Sequence, residues 1–171
     1  MFDVNTFLST QVSEKFDSKF APVPQGYYTA VITDDFNLSE FTSRKGDRLV
    51  RFSVTWKPLY APLAQILGRE GATVRQDLLL DVIRDGNGGI RGIAGGPGKN
   101  INLGHLREVL GQNTSAPWAP SDLIGKTAVI KVAHRYGVDG TAYAEVKGVY
   151  SELPSGAEEG PMQTDVDEVP F

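Results

Sequence analysis

Arg51 and Lys57 alternate with Val50, Phe52, Val54 and Trp56 across residues 48–57, RLVRFSVTWK. In an extended chain successive side chains point to opposite faces, so these cations leave the apolar side. The same spacing puts Lys131 and Arg135 opposite Ala128, Ile130 and Val132, and Tyr143 and Lys147 opposite Ala142, Ala144 and Val146. Arg75 alternates with Val74 and Gln76. A surface that holds unstructured nucleic acid needs this mixture: cations for the phosphates and rings on which bases stack. A solvated β face also carries Lys and Arg, so the pattern alone leaves both readings open. Trp56 falls with Phe52 and belongs to the core by alternation. Tyr143, Trp118, Tyr136 and Tyr60, at strand ends or in loops, are the better stacking candidates.

Two other constellations could carry chemistry. Residues 86–100 (GNGGIRGIAGGPGKN) hold seven glycines and suggest a phosphate loop. The pattern fails the P-loop test, because Asn100 follows Gly98-Lys99 and Ile93 stands five before Gly98. A basic loop that closes on a DNA backbone through Arg91 and Lys99 suits it better, and regular structure is not expected there. Asp77 and Asp81 share a strand face near Asp85, where paired carboxylates could hold Mg²⁺ in a nuclease. No His or Lys constellation supports them. The chain has no cysteine and only two histidines, His105 and His134, neither at metal-ligand spacing. No metal, cofactor or catalytic residue is expected.

The net charge of −4 is unevenly distributed. Residues 151–171 carry six acids and no Lys or Arg; setting those six aside, the 21 acidic residues fall to 15 against 17 basic ones. The body is therefore net positive. The end of the tail, Asp165-Val166-Asp167-Glu168-Val169-Pro170-Phe171, joins acids to a terminal ring and carboxylate. Phe171 and Pro170 can enter an apolar pocket on a partner while its basic rim pairs with Asp165, Asp167 and Glu168. The same acidity lets the tail compete with DNA for the chain's own cations.

These residues need a scaffold of strands. Tyr27–Thr33, Arg48–Lys57, Thr73–Arg84, Lys126–Tyr136 and Thr141–Tyr150 read as five strands, with a polar connection over 34–47 and Gly137-Val138-Asp139-Gly140 as a hairpin turn. Ala61–Leu67 allows a helical turn. Asn102–Leu110 reads as a short helix, with Asn102 as N-cap and Gly111 as its stop. The order β-β-β-α-β-β is that of an all-β, five-stranded OB-fold barrel, whose second and third strands bind oligonucleotides. Residues 21–150 form this domain. Residues 1–20, with Leu8, Val12, Phe16 and Phe20 at a spacing of four, read as a leader docking on the barrel, and 151–171 as a disordered acidic tail. The start, MFDVNTFLST, is not a signal peptide, and no stretch approaches the ~20 apolar residues of a membrane span. A soluble, intracellular protein is expected.

The tail DVDEVPF resembles the acidic Pro-Phe tip of bacterial and phage single-stranded DNA-binding proteins. The stretch from Val74 to Asn113 (VRQDLLLDVIRDGNGG…GKNINLGHLREVLGQN), with TAYAEVKGVY at 141–150, is similar to phage-encoded members with an OB fold. The resemblance covers most of residues 22–171, with a shorter and more interrupted acidic run than some members carry. It implies protection of single-stranded DNA in phage replication, recombination and repair. It also implies a polymerase, helicase or recombinase as the tail's partner, and the cytoplasm of a host bacterium. The sequence leaves a homo-oligomer open. A metal-dependent nuclease and an OB-like module binding only protein are the alternatives.

Overall fold

The computed structural model describes residues 3–16 and 18–162. After a short helix α1 (Val4–Leu8), strand β1 runs from Gly26 to Thr42 and turns back into β2 (Arg48–Pro58). A one-turn helix α2 (Leu63–Leu67) leads to β3 (Val74–Leu80), and the small strands β4 (Val82–Arg84) and β5 (Ile90–Ile93) follow. Helix α3 (Ile101–Val109) and a 3₁₀ turn (Pro120–Leu123) precede β6 (Thr127–Tyr136) and β7 (Ala142–Tyr150), and β8 is Gly160–Pro161. β1, β2, β3, β7 and β6 pair in that order, and β6 pairs again with β1, closing a five-stranded barrel. Within the barrel the β3–β7 pair is parallel and the other four are antiparallel. This is the OB-type barrel that the strand order leads one to expect.

Period-two burial builds the interior. Tyr28, Ala30 and Ile32 of β1 are buried, as are Val50, Phe52, Val54 and Trp56 of β2, while Tyr27, Thr29 and Val31 are only partly covered. Trp56 sits in the core as its alternation requires, and its buried indole N–H is satisfied by donating to Gln76 Oε1 at 2.9 Å. Leu103 and Leu106 of α3 and Leu123 join this core. Tyr28 donates to the Pro24 carbonyl, and burial pushes its hydroxyl up to about 12.

The structure corrects several boundaries. Residues 34–42, expected in a polar connection, continue β1. Three residues, 33–35, stand opposite Thr55, and past this bulge Phe36 pairs with Val54 and its ring stacks on Phe52. The third strand does not run through to Arg84. It breaks at Asp81, because Asn100 takes the place of a neighbouring strand there. Its side-chain oxygen accepts the Asp81 N–H, its amide donates to the Asp81 and Ala94 carbonyls, and its own N–H donates to the Asp81 carboxylate. Beyond the break β4 pairs with β5, so part of the glycine-rich stretch is a hairpin. Asn100, in left-handed backbone, is therefore the residue at the head of α3, not Asn102, and its side chain makes no cap bond. Gly111, at φ +70, ends the helix as expected.

The ends also differ from expectation. The leader is helical only over Val4–Leu8, and Leu8, Val12, Phe16 and Phe20 are exposed. It is attached to the rest of the chain by polar and cation–π contacts: Lys19 bonds Asp139 and Thr141, and the Arg69 guanidinium lies over the Phe20 ring, 5.0 Å from its centre. At the other end, 159–162 belong to the barrel. Glu159 bridges Tyr27, Gly160–Pro161 pair with Gly26, and Met162 N–H donates to Gln25. Any side chain at Gly26 would collide with the Gly160 carbonyl, which explains glycine at the point where this strand crosses. The five tail residues from Asp165 to Phe171 singled out as partner contacts lie outside the described residues.

Candidate nucleic-acid interface

The parallel β3–β7 pair sets Arg75 beside Glu145, and the antiparallel β6–β7 pair sets Glu145 beside Ala133 and Tyr143 beside Arg135. Directly paired residues share a face, so these side chains converge outside the barrel. They line an open groove of about 540 Å³ with Thr73, Asp77, Ala144, Val146 and Lys147. Four of the nine candidate DNA contacts, Arg75, Arg135, Tyr143 and Lys147, thus meet in one place.

Each groove arginine already has an acid nearby. Arg75 donates to Ser53 Oγ at 2.8 Å and stands 3.9 Å from Asp77, which also accepts the Ser53 hydroxyl. Arg135 Nε is 3.6 Å from Glu145, and its guanidinium lies over the Tyr143 ring at 5.4 Å. These are solvent-exposed pairs, worth about 0–1 kcal/mol each, so a phosphate can replace the carboxylate at little cost. Lys147 has no acid partner among the described residues. Tyr143 is 43% exposed and offers its ring to a base.

The turn beside the groove is fixed. Gly137 N–H donates to Thr141, and Gly140 N–H to Gly137. The Asp139 carboxyl is held well below the usual carboxylate range, first by the Thr141 backbone N–H and then by Lys19. The leader is thereby fastened next to the groove.

The same outer face continues along β2 from Ser53 to Arg51. The Arg51 guanidinium lies 4.6 Å from the Phe41 ring centre, and exposed Leu79 stands opposite Arg51 on β3. Beyond it, the β1–β2 turn presents Arg44 and Lys45, which have no acid partner among the described residues. Sequence reasoning did not place Phe41 and Leu79 on this face. Phe41 lay in a segment expected to be a loop, and Leu79 sits in an apolar run that hides its outward position.

The remaining candidates fall elsewhere. Lys57 is at the far end of β2, beside a small cavity shared with Tyr60 and Arg69. Lys131 lies over Tyr27 on the β1–β6 side. Lys99 lines a second cavity next to α3. Trp118 is half-buried, with the Arg107 guanidinium at 4.4 Å from its ring centre and its N–H bonded to Gln112, so it is a packing residue more than an open platform. Tyr60 packs edge-on against Tyr28, whereas Tyr136 is 68% exposed at the end of β6.

The strand carboxylates do not converge. Asp77 serves Ser53 and Arg75, Asp81 serves Asn100, and Asp85 accepts the N–H groups of Asn87 and Gly89 in its own turn. Among the described residues no three His, Cys, Asp or Glu side chains are grouped to hold a metal ion. No helix among them is long and apolar enough to cross a membrane. A scan of protein-family models finds no match to the chain, and neither does a search of curated proteins.

Proposed function

We propose that this chain is a non-enzymatic single-stranded DNA-binding protein of the phage type. It coats and protects the strand in replication, recombination and repair, in the cytoplasm of a host bacterium. The observation that carries the reading is the groove on β3, β6 and β7. It brings Arg75, Arg135, Lys147 and an accessible tyrosine together on the outside of an OB-type barrel, and continues into the β2–β3 face that such barrels use for oligonucleotides. Phosphates track the cations, and bases stack on Tyr143 and on the Phe41–Leu79 patch. The acidic tail with its Pro-Phe end recruits a polymerase, helicase or recombinase.

The deciding experiment is a gel-shift titration with oligo(dT), with and without Mg²⁺. A shift without cleavage is expected. Cleavage in Mg²⁺ supports a nuclease, and the absence of either supports a module that binds only protein. The tail is tested separately: Phe171→Ala keeps every charge and removes the anchor, so it should leave the oligo(dT) shift intact and abolish partner capture. Full capture by Phe171→Ala rules out the Pro-Phe end as the recruiting element.

A further inference from the structure

A second cavity, of about 700 Å³, lies between the glycine-rich loop after β5, the first turns of α3 and the loop that carries Trp118. None of its lining residues lines the groove on β3 and β7. Lys99 and Arg107 both face it, and no Asp or Glu does. Lys99 has no acid partner among the described residues. Arg107 is held in place by Trp118 and by the Gln112 carbonyl at 2.8 Å, yet its Nε is buried without a partner. Two cations without a counter-charge in the lining, Arg107 held in place and Lys99 exposed beside it, favour an anion.

The backbone adds to this. Because the Asn100 side chain is spent on Asp81 and Ala94, it caps nothing. The N–H groups of Ile101, Asn102 and Leu103 consequently meet no acceptor among the described residues, and the helix presents its positive end beside Lys99. Part of the lining is apolar, made by Ile93, Leu103 and Trp118. The volume is in the range of small-molecule sites.

We infer that this cavity binds a nucleotide, with its phosphate at Lys99, Arg107 and the head of α3, and its base against the apolar part of the lining. The site is separate from the groove and stands whether or not the groove binds DNA. Its ligand is a free nucleotide or the phosphorylated end of a strand, since both present the same group.

The full chain is titrated calorimetrically with dTMP, inorganic phosphate, and oligo(dT) carrying either a 5′-phosphate or a 5′-hydroxyl. Two variants accompany it. Lys99→Glu reverses an exposed charge. Gly104→Leu fills the cavity from α3, where an added Cβ meets nothing within 4 Å, so folding is spared. Saturable dTMP binding, weakened at least ten-fold by both variants and tighter than phosphate alone, is expected. Tighter binding of the 5′-phosphorylated oligonucleotide, lost in Gly104→Leu, identifies the ligand as a strand end. Equal binding of the two oligonucleotides identifies it as a free nucleotide. Binding of the 5′-hydroxyl oligonucleotide should be unchanged in Gly104→Leu, which keeps a failure of the groove distinct from a failure of the cavity. Absent dTMP binding, dTMP binding indifferent to Gly104→Leu, or phosphate binding as tightly as dTMP overturns the assignment.

Discussion

The groove on β3, β6 and β7 and the tip of the β1–β2 hairpin both carry cations, but they are built differently. In the groove Arg75 and Arg135 each stand within 4 Å of an acid, and a tyrosine lies beneath Arg135. At the tip Arg44 and Lys45 have no such neighbour among the described residues, and no ring. Of the acids nearby, Asp47 closes the same turn on Ser43 without pairing with either cation, and Glu40 is taken by Arg84 at 2.6 Å and Arg48 at 3.2 Å, which fastens the β4–β5 hairpin to the β1–β2 hairpin. A groove whose arginines exchange a carboxylate for a phosphate gains little net charge neutralisation. If the chain binds single-stranded DNA as proposed, the groove contributes shape and stacking, and the unpaired tip supplies long-range attraction, which salt screens.

The largest effect should come from the ring. Base–aromatic stacking is worth ~1–3 kcal/mol per base. Tyr143→Ala should therefore weaken oligo(dT) binding about five-fold or more while thermal unfolding stays nearly unchanged. Trp118→Ala should do the reverse, because that ring packs against Arg107 and the core, and its loss lowers the melting temperature more than the affinity. Equal losses of affinity in the two variants would dissolve the distinction between platform and packing residue.

Next in size is the salt dependence. Each phosphate contact on a single strand contributes about −0.7 to the log–log slope of affinity against salt. Replacing both Arg44 and Lys45 with Ala should flatten that slope by up to ~1.4, whereas Arg75→Ala should flatten it by less than one full contact because Asp77 already offsets its charge. A larger change from Arg75→Ala than from the double variant would place the electrostatic attraction in the groove after all.

Glu145→Gln gives a smaller effect of opposite sign. It frees Arg135 and removes a negative charge from the groove floor, so oligo(dT) affinity should rise a few-fold at low salt and converge with wild type at high salt. A fall in affinity would mean that Glu145 positions Arg135 and does not compete with the phosphate.

The barrel was legible in the sequence because period-two alternation is a local property. Val50, Phe52, Val54 and Trp56 declare their face without reference to any neighbour, and Tyr28, Ala30 and Ile32 do the same. What escaped depends on contacts distant in sequence. The break at Asp81 is made by Asn100, nineteen residues on, and nothing in TVRQDLLLDVIR marks it. The β1 bulge lies in a polar stretch without a hydrophobic register, so its continuation as a strand was hidden. For the site, alternation found which cations face out but not which strands adjoin. That is why Arg75, Arg135, Tyr143 and Lys147 converge while Lys57, Lys131 and Lys99 do not. The closing of β3 onto β7 is a parallel pairing across more than sixty residues, beyond the reach of any local pattern.

The smallest expected effect concerns the acid clamp at the tip. Arg84, then Arg48, holds the Glu40 carboxyl below its ordinary value of 4.5. A carboxylate with a depressed folded-state pKa stabilises the fold fully above its unfolded value, and that contribution disappears as the pH falls through the folded value. The clamp is therefore intact at neutral pH and lost as the pH falls through a value below the ordinary 4.5. Both partners reach solvent, so the change in overall stability is slight, but it has a defined shape. Melting temperatures of wild type and Glu40→Gln should differ at pH 7, with wild type the higher, and the difference should close as the pH is lowered toward 3. The release should also be local: protease nicking within the 85–89 turn should increase in Glu40→Gln at pH 7, because β4–β5 keeps its Asn100 anchor but loses its tie to the neighbouring hairpin. A melting difference that persists unchanged at pH 3 would show that Glu40 stabilises the tip by packing and not by charge, and the contrast between a clamped hairpin and an unpaired cationic turn would have to be redrawn.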